Sequence, residues 1–275
     1  MRSHTSPVAP PPLPWVELTS LVLVAWAVFA SIPLALGGIG LGWDALNHHI
    51  YLGWTAERPR FDRDFLAASY QAYQYPYLYW PLFKLFQSGI NGAWAGVILV
   101  SFNVLLVPPL WMLARVCVRE QTWYGFTMRW LAVVLSFLTA VVLSLFDATP
   151  NDLMASTPLV WAIAVGFQPW QSPEQSRLTL RRTALLSGLL AGVSVAFKLS
   201  NGPLAILLPL LWFLYGTSLK QRVMNVVWGS LATVAGFVAF YGYWGGQLWV
   251  HYGNPVYPLY DNWFAPLRVL SGWQP

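Results

Sequence analysis

Seven apolar runs alternate with polar stretches along the chain: residues 18–36, 93–114, 130–146, 153–168, 183–199, 203–217 and 223–243. A helix needs about 20 residues to cross a hydrocarbon core of about 30 Å. The first run, LTSLVLVAWAVFASIPLAL, carries no charge and reaches that length. Its competing reading is a cleaved signal peptide, but such an apolar region usually has about 7–15 residues and closely follows a basic N-terminus, and Arg2 is far away. Several later runs are short and would cross by tilt or local thinning. The stretch 76–88, PYLYWPLFKLFQS, is apolar but broken by Pro76 and Pro81 and carries Lys84. It reads as an interfacial or re-entrant segment, with an eighth span as the alternative. The pattern predicts an all-α polytopic membrane bundle of about seven (seven to eight) transmembrane helices. A Pro-rich tail over 1–17 precedes the bundle of 18–243, and a C-terminal segment over 244–275 follows it. Gly92-x-x-x-Gly96, Gly188-x-x-x-Gly192 and Gly242-x-x-x-Gly246 are candidate close helix contacts.

Composition agrees with the pattern. Only 9% of residues are charged, against roughly 25% in soluble domains, so the chain cannot wet a globular surface. That excludes a soluble enzyme, a disordered protein and a disulfide scaffold. The lone Cys117 allows no intrachain disulfide. Seventeen Trp and thirteen Tyr suit membrane–water interfaces, and the same rings can stack on sugars.

Orientation follows the loop cations. Arg2, Arg115, Arg119, Arg129, Arg177, Arg181, Arg182, Lys220 and Arg222 fall on one side. The smaller set Arg58, Arg60, Arg63, Lys84, Lys198 and Arg268 falls on the other. The first side is expected to be cytoplasmic, with the N-terminus, and the loops at 37–92, 147–152, 198–202 and 244–275 outside. No run carries Asp, Glu, Lys or Arg in its middle third, which argues against ion-coupled transport. The reactive residues gather instead at the outer face.

The loop 37–92 is long enough to be functional. Within it Trp43, Leu46, Ile50 and Trp54 recur at helical spacing, which predicts a short amphipathic helix on the membrane. Asp44 and His48, four apart, share one face. Asp44 stands a few residues beyond the first span, at the interface, where a partly desolvated carboxylate suits a general base. The i, i+4 spacing of Asp44 and His48 leaves a divalent metal open as an alternative, although two ligands alone do not make a site, and no other cofactor is expected.

A first span, an outer loop opening on Gly42-Trp43-Asp44-Ala45-Leu46-Asn47-His48, and amphipathic helices after it resemble the GT-C superfamily of membrane glycosyltransferases. Phe197-Lys198-Leu199-Ser200-Asn201-Gly202 and Gly253-Asn254-Pro255-Val256-Tyr257-Pro258-Leu259-Tyr260 are similar to stretches of bacterial members. The resemblance implies transfer of a sugar from a polyprenyl-phosphate donor to a lipid or glycan acceptor, at the outer face of the bacterial inner membrane. It gives Asp44 the role of base or, in some branches, metal ligand. Members are usually longer, with more spans, so the resemblance implies a shortened member.

Further residues have two readings each. Asp152 is an N-cap of the next helix or a second acid for substrate. Lys198 snorkels to the interface or faces the donor phosphate. Arg58, Arg60 and Arg63 alternate with acids as a solvated face, or Arg58 and Arg63 bind phosphate. Tyr70, Tyr73, Tyr75, Tyr77, Tyr79 and Trp80 form an interfacial belt or a sugar-stacking wall. His251, Asn254 and Tyr257 sit in a Pro-stiffened loop that would cap the site. No Gly-x-x-x-x-Gly-Lys-Ser/Thr, dinucleotide fingerprint, Gly-x-Ser-x-Gly or His-Glu-x-x-His motif occurs, and the inner loops are too short for a nucleotide-sugar domain. No nucleic-acid partner is expected. The rival classes are a lipid or solute transporter, which needs a polar path across the midplane, and a non-catalytic scaffold or transferase fragment, in which Asp44, Asp152 and Lys198 would not converge.

Overall fold

The computed structural model describes residues 13–61, 69–170 and 177–274. Among them helix is the only regular structure. The chain runs through α1 (Pro14–Leu36), α2 (Ile50–Thr55), α3 (Trp80–Ser88), α4 (Gly92–Ser101), α5 (Val107–Cys117), α6 (Trp123–Phe137) and α7 (Ala140–Leu143). It continues through α8 (Asp152–Phe167), α9 (Arg177–Phe197), α10 (Gly202–Ala205), α11 (Leu208–Phe213), α12 (Leu219–Tyr252) and α13 (Asp261–Ser271).

Four stretches are long and apolar enough to cross a membrane: Pro14–Leu36, Gly92–Cys117, Thr179–Phe197 and Leu219–Tyr252. The expected count of about seven is not reached by this measure. The runs at 130–146 and 153–168 become α6 and α8, of 15 and 16 residues. The run at 203–217 breaks into α10 and α11, where Pro203 and Pro209 each open a new helix. The last run extends well past its apolar core, into a 34-residue helix. At the other end, α1 starts at Pro14, so Pro14 to Glu17 belong to the first helix rather than to a tail. Pro stands there at the first helical position, where its missing N–H is no loss.

Apolar side chains face outward along the long helices, among them Leu23, Val28 and Leu34 on α1 and Leu231, Val234 and Val238 on α12. Such outward faces suit lipid and not water. Inside, one core joins α1, α4, α5 and α6 through Leu21, Phe29, Val100, Trp111 and Phe137. A second joins α8, α9 and α11 through Leu159, Ala184, Leu208 and Trp212.

Close approach organises the second half. Helix α12 packs along α9, and a Cβ on Gly188 would meet the Gly229 carbonyl oxygen at 2.1 Å, one on Gly192 the Thr233 carbonyl oxygen at 2.0 Å. Only glycine lets these backbones meet. Gly96 plays the same part against Pro33 of α1. The third candidate does not: a Cβ on Gly246 meets nothing within 4 Å among the described residues.

A buried polar knot ties the start of α1 to α5 and α6. Arg129 donates from Nε and Nη2 to Glu17, at 2.7 Å each, and from Nη1 to the carbonyls of Val118 and Glu120. Trp111 Nε1 donates to the same carboxylate at 2.9 Å. Glu17 and Arg129 are each 1% exposed, although Glu17 was expected in the tail and Arg129 in a loop. The 23 residues of α1 span about 35 Å, so this knot lies far from the chain that leaves the helix at Gly37.

Candidate functional site

Beyond α1 the chain is pinned by a hydrogen bond from the Gly40 N–H to the Asp147 carbonyl. It then enters a five-residue π-helical turn, Ala45–His49, that runs into α2. A π turn widens the helix and occurs often at functional sites. Here it sends both His48 and His49 into the protein while Trp43 and Leu46 face out. The short amphipathic helix expected over 43–55 is therefore present, with a wider turn at its start.

Asp44 and His48 do share a face. His48 Nδ1 lies 3.8 Å from Asp44 Oδ1, too far for a hydrogen bond, and this buried nitrogen has no hydrogen-bond partner among the described residues. The Asp44 side chain is 59% exposed, so it is open to solvent rather than partly desolvated as expected. His49 Nδ1 lies 2.6 Å from Thr149 Oγ1. Its ring stacks on Tyr79 with centroids 4.7 Å apart and meets the His48 ring edge-on at 4.3 Å.

Asp152 opens α8, but Asn151 holds the cap position and makes no side-chain cap bond. The Asp152 carboxylate instead accepts a hydrogen bond from Lys198 Nζ in a half-exposed ion pair. Lys198 is the extended residue between α9 and the turn Leu199–Asn201. Asn201 fixes that corner by donating to the carbonyls of Ala155 and Ser194 and to Ser194 Oγ.

These groups act on one another electrostatically. Burial lowers the pKa of His48; the Asp44 charge raises it and the Lys198 charge lowers it further. His49 is lowered to about 4, first by burial, then by His48 and Lys198, against the opposing charges of Asp44 and Asp152. Burial raises Tyr79, with help from Asp152 and Asp44. Asp44, His48, His49, Tyr79, Asp152 and Lys198 thus form one cluster.

On its other side Lys198 borders a cavity of about 180 Å³. Tyr70, Tyr73, Tyr75, Tyr241 and Tyr257 supply its aromatic walls, and among the described residues Lys198 is the only charged one lining it. Tyr257 is set by its neighbours: its ring stacks on Tyr252 at 4.1 Å and meets Tyr73 edge-on at 4.9 Å. Asn254, fully buried, holds the turn beneath by donating to the Leu259 carbonyl and accepting from the Val256 N–H. His251 does not line the cavity and lies exposed beside Phe61.

Of the residues singled out in the sequence, Asp44, His48, Asp152 and Lys198 come together, and Tyr257 joins them through the cavity. Arg58 is exposed beyond α2, where its charge bears on Glu57. Arg63 lies outside the described residues. Among the described residues no group of three or more His, Cys, Asp or Glu is placed to hold a metal ion. Sequence reasoning missed Thr149 and Tyr241. A tyrosine inside the apolar run of α12 was the available signal for the last. Comparison with known proteins finds no matching family model, no matching curated protein and no matching solved structure.

Proposed function

We propose that this protein is an inverting membrane glycosyltransferase that moves a sugar from a polyprenyl-phosphate donor to a hydroxyl of a lipid or glycan acceptor. In this reading it acts at the outer face of the bacterial inner membrane. The shorter helices α6 and α8, with the stretch 199–213, complete seven crossings, and the N-terminus is cytoplasmic.

The observation that carries the reading is the position of Lys198. One cation adjoins an acidic, histidine-bearing cluster on one side and a tyrosine-walled cavity on the other. An ammonium has three donors, so its bond to Asp152 leaves two for a phosphate. Asp44 is open to an acceptor approaching from outside. His48 lies beneath it, with Nδ1 3.8 Å from the carboxylate.

The chemistry then needs one base. Asp44 takes the proton of the acceptor hydroxyl as that oxygen bonds to the anomeric carbon. The anomeric carbon–oxygen bond to phosphate breaks, and its electron pair leaves on the polyprenyl phosphate. Lys198 faces the growing phosphate charge. The tyrosine rings offer flat faces and hydroxyls to the donor, and its tail lies along the apolar outer surface of the spans.

The test is Asp44→Asn in the full chain, reconstituted in vesicles and assayed with polyprenyl-phosphate-linked hexose and pentose. Loss of a general base should lower turnover about 10²–10⁴-fold with the protein still folded. Undiminished turnover would remove Asp44 from its role. Absence of transfer by the unaltered protein with every donor would favour a scaffold.

A further inference from the structure

Helix α13 is built inside out relative to a water-facing helix. Its charged residues, Asp261 and Arg268, pair with each other: Arg268 donates from Nη1 and Nη2 to the Asp261 carboxylate at 2.8 and 3.1 Å. Buried Asn254 donates to the same carboxylate at 3.3 Å. Both charges therefore turn toward the Gly253–Asn254 corner. The corner is shaped for this: Gly253 has φ +61, and a Cβ there would meet the Arg268 side chain at 2.4 Å.

The opposite face is apolar and bare. Trp263, Pro266, Leu267 and Leu270 recur at i, i+3, i+4 and i+7, one stripe of an α-helix, and Trp263 is 75% and Leu270 82% exposed. Tyr260 stacks on Trp263 at 5.1 Å and is itself exposed. A helix facing water shows the reverse order, with charges out and apolar residues in.

Two further observations identify what covers this stripe. First, α12 has 34 residues and runs about 51 Å, longer than the ~40–45 Å of a bilayer with its headgroups. It cannot fit within the hydrocarbon core of about 30 Å, so its ends reach the headgroup layers. Second, α13 is tied to the last turns of α12: Trp273 Nε1 donates to the Val250 carbonyl, and Arg268 to that of Gly253. Val250 is exposed, so the bare stripe continues the outward apolar surface of α12. Trp and Tyr on such a helix sit well at headgroup depth.

We infer that α13 is a monotopic helix whose Trp263–Leu267–Leu270 stripe is seated in the lipid interface, so that the bilayer braces the turn bearing Tyr257. The inference stands apart from sugar transfer, and its test has no catalytic readout.

The experiment places nitroxide labels on single cysteines in a Cys117→Ser background: Trp263→Cys, Leu267→Cys and Leu270→Cys, with Asn262→Cys for comparison. Three stripe positions guard against one variant failing to fold. The full chain is reconstituted in phosphatidylethanolamine/phosphatidylglycerol vesicles. Collision of each label with oxygen, which partitions into lipid, is compared with collision with a water-soluble nickel chelate. Oxygen should exceed nickel at 267 and 270, with the ratio falling at 262. A ratio favouring nickel along the stripe would put α13 in water and overturn the inference. Low collision with both reagents would overturn it too, as the mark of cover by protein. Label–label broadening in that case would identify a second copy of the chain.

Discussion

Lys198 gives one hydrogen bond to Asp152 while its own residue borders the tyrosine cavity, so a single side chain couples two environments that lie far apart in sequence. The pair is half-exposed, and such ion pairs contribute about 1 kcal/mol or less to stability. Lys198→Met should therefore unfold at nearly the same temperature as the parent chain. Removing a preorganised charge from a developing anion costs about 10²–10³ in kcat. The expected result is transfer lowered by that factor with the thermal midpoint preserved. A large drop in midpoint with a matching drop in activity would make Lys198 structural.

Gly192 and Gly246 make a matched pair for the contact between α9 and α12. A Cβ on Gly192 would sit 2.0 Å from the Thr233 carbonyl oxygen and 2.7 Å from the Phe237 nitrogen, both backbone atoms that cannot turn aside. Gly192→Ala should destabilise the protein by about 1–3 kcal/mol, the usual cost of overpacking. Gly246→Ala has open space and should be neutral or slightly stabilising, since alanine favours helix. Unfolding in detergent, followed by intrinsic fluorescence, reads both. Equal effects would mean that the helices do not touch as described.

The membrane character of the chain was legible because uncharged runs leave little alternative, and α1, α9 and α12 all arise from such runs. The breaks inside the runs were less legible. The run 203–217 reads as one span, whereas Pro203 and Pro209 each open a separate helix within it. In the site, the Asp44–His48 spacing was enough to pair those two residues. The partnership of Asp152 with Lys198 was not visible, because it joins the start of α8 to the end of α9, 46 residues away. Glu17 was hidden for the same reason: beside a Pro-rich stretch it reads as solvated, until an arginine 112 residues on draws it inside.

That buried knot yields a prediction independent of the site. Removing one partner of a buried ion pair costs about 3–5 kcal/mol, because the other charge is left without compensation. Glu17→Gln keeps the shape and removes the charge that answers Arg129, so it should lower stability by about that amount. The double variant Glu17→Leu with Arg129→Met removes both charges and should recover part of the loss. Recovery should be incomplete, since the carbonyls of Val118 and Glu120 lose their donor. A double variant less stable than Glu17→Gln alone would show that the pair is net stabilising. A Glu17→Gln protein as stable as the parent would show that the knot does not form.

His49 gives the chain a defined acid sensitivity. Burial, reinforced by the adjacent His48 ring, lowers its pKa from 6.5 to about 4 in the folded protein. Between those values the unfolded chain binds a proton that the folded chain does not. Stability therefore rises with pH across this window, where the unfolded state holds more protons. The contribution is complete above about pH 6.5, falls away as the pH drops, and reaches its floor near pH 4. His49→Asn, which can keep a hydrogen bond to Thr149 without titrating, should flatten the profile. A shallower slope should persist, because burial lowers His48 as well. The measurement is the midpoint of thermal unfolding in detergent at pH 7.5, 6.5, 5.5 and 4.5. A parent profile that stays level over this range would mean that water reaches the His48–His49 pair, and an unchanged slope in His49→Asn would assign the sensitivity to other groups.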